Sequence, residues 1–301
     1  MAAGILNINK PRGMTSFAIV SLVRRLTGIR RVGHAGTLDP IAEGVLPVCL
    51  GSATRIVEYL VSEPKSYRAV IRLGEATDTY DSEGAVTATG DPSAVTREQV
   101  EARLREFVGE IDQLPPMYSA VKFAGQPLYR YARAGKDAPR QARRVNIYRL
   151  ELRRFEPPLV EIELEVGRGA YVRTLAYDLG ERLGCQAHLS ELTRLRSGPF
   201  RVEDALSPEQ LEAAAKAGTW EELLAPADRV LEAWYAALLA ERHSRDVRQG
   251  RTVVLEPAGP QLQNLPPDTL CRAYSESGDF LAILRYQGAD TWHPERVFLP
   301  Q

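Results

Sequence analysis

The chain has only three cysteines in 301 residues, Cys49, Cys185 and Cys271, far apart and never in a Cys-x-x-Cys pair. An odd, scattered set supports neither a disulfide framework nor a zinc site, and it fits a reducing cytoplasm. Long apolar runs are missing too: no stretch approaches the roughly 20 residues a membrane-spanning helix requires, and no charged-then-apolar leader opens the chain. A soluble protein is expected. Without a Walker loop or a nucleophilic Ser or Cys motif, a nucleotide hydrolase is disfavoured, and neither cofactor nor metal is expected. Internal repeats and low-complexity tracts are absent as well.

What is present begins with 44% apolar residues, enough for a substantial core in one large domain with a small appendage. The net charge of −1 conceals an uneven distribution. Residues 115–154 carry ten Lys or Arg against Asp137 and Glu151, and residues 1–55 carry seven basic residues against two acidic ones. Tyr118, Tyr129, Tyr131 and Tyr148 interleave with the first cluster. Cations alternating with aromatics are what a phosphate backbone and unstacked bases select, a solvated basic face being the alternative.

Periodicity gives a coarse outline. Gly4 to Lys10 reads as a strand stopped by Pro11, and Ser16 can cap a helix with Ile19, Leu22, Val23 and Leu26 on one face, ended by Gly28. Tyr67 to Leu73 alternates as a half-buried strand, and Val160 to Val166 does the same with Glu161, Glu163 and Glu165 between its apolar residues. A helix is expected at about 174–183, with Leu175, Leu179 and Leu183 stacked and Gly184 as its stop. Ser207-Pro208-Glu209-Gln210 is a strong helix start, and Ala-rich helical sequence is expected to run to about Arg248. Short apolar runs follow (Thr252 to Leu255, Leu270 to Tyr274, Phe280 to Tyr286, Arg296 to Leu299), broken by Ser277-Gly278-Asp279. Irregular alternation of strands and helices predicts an α+β fold with a mixed, largely antiparallel sheet, then a small β-barrel-like unit. The division expected is residues 1–245 and 246–301.

The most informative stretch is Arg31-Val32-Gly33-His34-Ala35-Gly36-Thr37-Leu38-Asp39-Pro40-Ile41-Ala42-Glu43-Gly44-Val45-Leu46-Pro47. Its glycines and prolines describe a stiff loop, and the proline after Asp39 disfavours helical geometry at the acid, so the carboxylate is presented on turn or extended backbone. Taken alone, that is also what a plain Asp-Pro turn looks like. The segment Thr77-Asp78-Thr79-Tyr80-Asp81 is rich in oxygen ligands, yet it lacks the Gly and terminal Glu of a calcium-binding EF-hand loop.

Gly-His-Ala-Gly-Thr-Leu-Asp-Pro closely resembles the active-site motif of the TruB family of pseudouridine synthases. Leu6 through Ser16 resembles that family's N-terminal motif. Tyr67-Arg68, Gly74 through Asp81, Pro115 through Lys122 and Gly169 through Thr174 look like further family blocks in the expected order. The resemblance is strong to about residue 200; the last sixty residues are loosely similar to a PUA domain. It implies cofactor-independent isomerisation of a uridine in the tRNA T-loop, position 55, to pseudouridine, after the base has left its stack.

In that reading Asp39 is the essential carboxylate, and whether it attacks C1′, adds to C6 or takes a proton from C2′ stays open. Arg173 is the guanidinium that favours its charged form. Tyr67 stacks on the base and could assist proton removal from C5, although strand periodicity equally allows it as core packing. The resemblance places His34, Tyr171 and Leu192 around the extruded uridine and suggests Asp78 as a network residue hydrogen-bonding near Arg173; a lone His in a glycine loop is otherwise structural. Residues 115–150 become an RNA-gripping insertion over the T stem-loop, with Lys122, Arg130, Arg133, Arg140, Arg143 and Arg144, and also Lys10, as RNA contacts. A monomer without an obligatory protein partner is expected. The alternatives are a guide-RNA-dependent relative of the dyskerin type, which generally lacks such an insertion, and an RNA-binding module without chemistry.

Overall fold

The computed structural model describes residues 2–255 and 265–298. The chain runs through β1 (Gly4–Lys10), α1 (Ser16–Thr27), β2 (Val32–His34), β3 (Ala42–Leu50), α2 (Val57–Ser62) and β4 (Lys65–Leu73). A hairpin of β5 (Glu75–Thr77) and β6 (Val86–Thr89) precedes α3 (Arg97–Arg105) and β7 (Gly109–Gln113). Next come the two-residue strands β8 (Lys122–Phe123) and β9 (Gln126–Pro127), then α4 (Leu128–Arg133), β10 (Arg143–Glu156) and β11 (Leu159–Val166). There follow α5 (Val172–Leu183), β12 (Ala187–Ser197), β13 (Phe200–Arg201) and α6 (Pro208–Ala217). Beyond them lie β14 (Tyr235–Leu239), α7 (Glu241–Arg248), β15 (Val253–Val254), β16 (Leu270–Ser275), β17 (Phe280–Gly288) and β18 (Thr291–Val297).

Among the described residues, a nine-stranded sheet carries the order β1-β3-β12-β4-β11-β10-β7, with β2 on β3 and β13 on β12. Its ladders are antiparallel except between β12 and β3, which run parallel with Leu192 opposite Ala42. The alternation in β4 and β11 explains their position at the centre. Ala69, Ile71 and Leu73 join Val160, Ile162 and Leu164 in the core. On the opposite side, Arg68 and Arg153 pair with Glu163 at 3.1 and 2.6 Å, and Arg196 pairs with Glu165 at 2.9 Å. Such cross-strand pairs fix register more than they add stability.

Helices α1 and α5 cover the first face through Ile19, Val20, Val23, Val172, Leu175 and Leu179. Both end where a glycine, Gly28 or Gly184, adopts the left-handed cap conformation. The second face packs Ile5, Val45 and Cys49 against Ala53, Ile56 and Leu60, and against Ile283 and Phe298 of the C-terminal unit. Among the described residues that unit holds a five-stranded sheet of order β14-β16-β17-β18-β15, joined to the first by Arg296 with Glu58 at 2.7 Å and by an Arg55 hydrogen bond to the Val297 carbonyl.

Several expectations are corrected. Thr15, not Ser16, caps α1, its side chain accepting from the Ala18 N–H at 3.0 Å. Ser16 is the first helical residue, buried and used elsewhere. The capping box at Ser207 forms as expected, but α6 stops at Gly218 rather than continuing to Arg248, because Gly218 takes a left-handed turn that releases the helix. Tyr235 to Leu239 is instead a strand running parallel to β16, so the second sheet begins before residue 246. Of the run Arg296 to Leu299, Leu299 lies outside the described residues.

Candidate active site

Asp39 sits on irregular backbone between β2 and β3, as its proline neighbour dictates. The loop is held from three sides. Ser16 Oγ donates to the Leu38 carbonyl at 2.9 Å and accepts from the Leu38 N–H at 2.8 Å, so the hydroxyl expected to cap α1 clamps the residue before Asp39 instead. The Gly13 N–H donates to the Pro40 carbonyl at 2.8 Å, and the Ala42 N–H to the Asp39 carbonyl at 3.1 Å. Beneath, the fully buried Arg194 of β12 donates to the carbonyls of Val45 at 2.6 Å and Gly36 at 3.1 Å. Gly44 is required at the crossing: its φ is +99° and an added Cβ would lie 2.3 Å from the Arg194 carbonyl oxygen.

Arg173, in the first turn of α5 with its side chain 5% exposed, brings three chain segments together. Its Nε lies 3.0 Å from Asp39 Oδ2, its Nη1 donates to the Thr79 carbonyl at 3.2 Å, and its Nη2 to the Tyr118 carbonyl at 2.9 Å. Asp81 Oδ2 stands 3.6 Å from Nη1. Asp78 does not take part: it is exposed, and its Oδ1 accepts from the Ala85 N–H at 2.9 Å within its own turn. The network acid is Asp81, buried and itself held by the Thr79 hydroxyl at 2.6 Å and the Glu83 N–H at 3.1 Å. Tyr80 bears a positive φ of 64° in this turn, secured by stacking on Tyr177 of α5 at 4.2 Å. Reading residue types alone could not choose between two acids three positions apart.

The electrostatics follow from burial. Desolvation pushes the Asp39 carboxyl above its ordinary range, opposed first by the Arg173 guanidinium, while Asp81 pushes it further up and Lys10 draws it down. Lys10 was expected on the RNA surface, but it is fully buried at the end of β1. Its Nζ donates to the carbonyls of Pro11 at 3.0 Å and Met14 at 2.7 Å, and burial lowers its pKa to about 8. It is thus an internal cation, whose charge draws the Asp39 carboxyl down, and not a surface side chain. His34, on β2, has its pKa lowered by burial and then by Arg194, and its buried Nδ1 has no hydrogen-bond partner among the described residues.

Leu192 and Tyr67 lie on adjacent strands: Leu192 is opposite Ala69 of β4, and Tyr67 is opposite Arg194 of β12. Tyr67 is half-buried against the same core that holds Leu38 and Leu192. Tyr171 precedes α5, and Gln113 brackets its backbone, accepting from the Tyr171 N–H at 2.9 Å and donating to its carbonyl at 3.3 Å.

The basic segment leaves the sheet after β7 and returns at β10, so the excursion spans residues 114–142 while residues 143–150 belong to the ladder opposite β7 and β11. It is tied to the site by the Tyr118 contact and by Thr174 Oγ1, which donates to the Leu114 carbonyl at 3.3 Å. Arg144, Arg149, Arg153 and Arg154 pair with Glu110, Glu151, Glu163 and Glu156. Among the described residues, Lys122, Arg130, Arg133, Lys136, Arg140 and Arg143 have no carboxylate within ion-pair distance. The uncompensated positive charge is therefore concentrated on the excursion and on the first residue of β10.

Comparison with known proteins agrees with this geometry. The family model "TruB family pseudouridylate synthase (N terminal domain)" matches residues 24–172, and that of the "tRNA pseudouridylate synthase B C-terminal domain" matches residues 173–232. A tRNA pseudouridine synthase B of Dehalococcoides mccartyi is 42% identical, the match covering 98% of this chain and 96% of the relative. That of Syntrophotalea carbinolica is 49% identical over 76% of this chain and 75% of its own length. The chain also superposes on a solved Cbf5-Nop10-Gar1 complex with a TM-score of 0.75 at 26% identity, covering 99% of this chain and 85% of the other. The likeness extends through the second sheet and supports its description as a PUA-like unit. With the Asp39 loop between β2 and β3 and the α5 arginine that grips it, the chain belongs to the TruB family of pseudouridine synthases.

Proposed function

We propose that the protein isomerises the T-loop uridine of tRNA, position 55, to pseudouridine, with Asp39 as the essential carboxylate. The observation that carries the reading is the contact between Asp39 and the buried Arg173 on a braced loop, which favours the charged form of an acid that burial pushes towards neutrality. The reaction breaks the N1–C1′ bond, turns the base and forms C5–C1′; C5 loses a proton and N1 gains one, so nothing is added or removed overall. An ionised carboxylate at the sugar or at C6 stabilises or traps the separated pair, whether by attack on C1′, addition to C6 or deprotonation of C2′.

Folded RNA buries the scissile bond, so the uridine must be extruded into the site, where Tyr67 offers a face for stacking and Leu192, Tyr171 and His34 line the pocket. The excursion at 114–142 supplies the grip on the T stem-loop through its uncompensated cations. Three free, buried cysteines suit work in the cytoplasm, and the built-in basic excursion suits a monomer acting without a guide RNA or protein partner. Identities of 42% and 49% with synthases B, against 26% with the Cbf5 chain, also favour that over the guide-dependent alternative.

The test is incubation of the purified protein with unmodified tRNA, without metal, nucleotide or other protein, followed by mapping of pseudouridine. Conversion at position 55 is expected, with Asp39→Asn binding the tRNA normally and converting none of it. Conversion by the Asn variant would remove Asp39 from the chemistry.

A further inference from the structure

Helix α5 grips the turn beside Asp39 at two points, Arg173 and Tyr177. The two residues are four apart, so their side chains leave the same face of the helix, one turn from each other. Arg173 Nη1 donates to the Thr79 carbonyl at 3.2 Å and stands 3.6 Å from the Asp81 carboxylate. Tyr177 stacks on the residue between them, Tyr80, with ring centroids 4.2 Å apart and planes 23° from parallel. Three consecutive residues of the turn are thus held by one face of one helix.

The second grip answers a strain. Tyr80 has a φ of +64°, a left-handed conformation that a side chain makes unfavourable and that a single residue keeps only where its surroundings hold it. On the backbone side, its carbonyl accepts from the Leu189 N–H of β12 at 3.0 Å, and its N–H donates to the Thr77 carbonyl at 3.2 Å. On the other side the brace is the Tyr177 ring. Tyr80 is the single residue between Thr79 and Asp81, so its left-handed step brings the carbonyl of one and the carboxylate of the other to the same guanidinium nitrogen. Were Tyr80 to relax to a negative φ, those two acceptors would part and Nη1 would lose what fixes it. The guanidinium is a rigid plane, and the Nε that lies 3.0 Å from Asp39 belongs to that plane.

We propose that Tyr177 is a positioning residue for the reaction: by holding Tyr80 left-handed it keeps Thr79 and Asp81 together at Arg173 Nη1, and so keeps the Nε–H aimed at Asp39. Its action runs through residues 79–81 and Arg173, and it requires the ring, not the hydroxyl. This inference rests on Asp39 as the working carboxylate, proposed above.

The test uses full-length protein and unmodified tRNA transcript in single turnover, with Kd measured in parallel. Tyr177→Ala should bind tRNA as the parent does and convert it roughly tenfold more slowly, the scale of one aromatic pair. Tyr177→Phe, which keeps the ring, should restore most of the rate. At position 80 the usual order of alanine and glycine should invert. Tyr80→Gly accepts the left-handed turn unaided and Tyr80→Ala does not, so the glycine variant should be the faster; if residue 80 were packing alone, glycine would be the worse for its extra backbone freedom. Adding Tyr177→Ala to Tyr80→Gly should slow the reaction no further. Should Tyr177→Ala fail to fold, the comparison at position 80 decides alone. A parental rate for Tyr177→Ala, a loss confined to Kd, a phenylalanine variant as slow as the alanine one, Tyr80→Ala at least as fast as Tyr80→Gly, or a further loss in the double variant would overturn the inference and leave the role of Asp39 intact. Conversion by Asp39→Asn would overturn both.

Discussion

At the scale of single residues the decisive contest is over the charge of Asp39. Burial favours its neutral form, and the guanidinium of Arg173 at 3.0 Å is the largest influence in the other direction. On the reading proposed above the ionised acid does the chemistry, so kcat/KM should rise with pH through the folded-state pKa, with an acid limb above the ordinary carboxylate value of 3.8. For stability the sign is reversed: a raised carboxyl pKa binds its proton more tightly in the folded state, so Asp39 costs stability as pH rises through that value. Arg173→Gln should move the acid limb to still higher pH and lower the plateau, as measured by a pH profile of tRNA conversion; an unshifted limb would mean that Arg173 does not set the charge of Asp39. The motif made Asp39 and Arg173 legible in the sequence. Asp81 was not, because choosing it over Asp78 depends on how a left-handed Tyr80 turns the chain. Lys10 was misread because a lysine beside a proline normally lies in water, and its burial depends on two carbonyls that only the folded loop brings near.

At the scale of elements, strands and helices with regular periodicity were readable, and β1 runs from Gly4 to Lys10 as expected. What local pattern could not supply was the end of α6 and the recruitment of Tyr235 to Leu239 into a sheet. Alanine-rich sequence favours helix until the glycine, and the strand then forms through pairing with β16, which is remote in sequence. The excursion shows a similar limit. Composition located the cations but not their partners, and the ladder already neutralises several of them. Arg143→Ala should therefore weaken tRNA binding and reduce the slope of log K against log salt by about one. Arg144→Ala, whose guanidinium is paired with Glu110 at 2.9 Å, should change both less. Filter binding across a salt series measures this directly, and equal losses for the two variants would refute the distinction.

At the scale of the whole molecule, the two sheets share one apolar cluster, since Ile283 and Phe298 of the C-terminal unit pack with Ile5, Val45 and Phe200. The molecule should unfold as one cooperative body, and Ile283→Ala should destabilise all of it by about 2–5 kcal/mol. Urea unfolding followed by far-UV circular dichroism and by tryptophan fluorescence should give coincident curves; an early transition in one probe would mean that the units melt separately. Arg173 has a wider consequence. Its hydrogen-bonding edge reaches the arcs around residues 39, 79–81 and 118, so no one of those arcs can be exchanged independently of the others. An engineer grafting the excursion of another synthase onto this scaffold to retarget it would have to match the donor's backbone carbonyl at position 118. A mismatch there would loosen the acid on the opposite arc, and altered substrate choice would come with a slower enzyme.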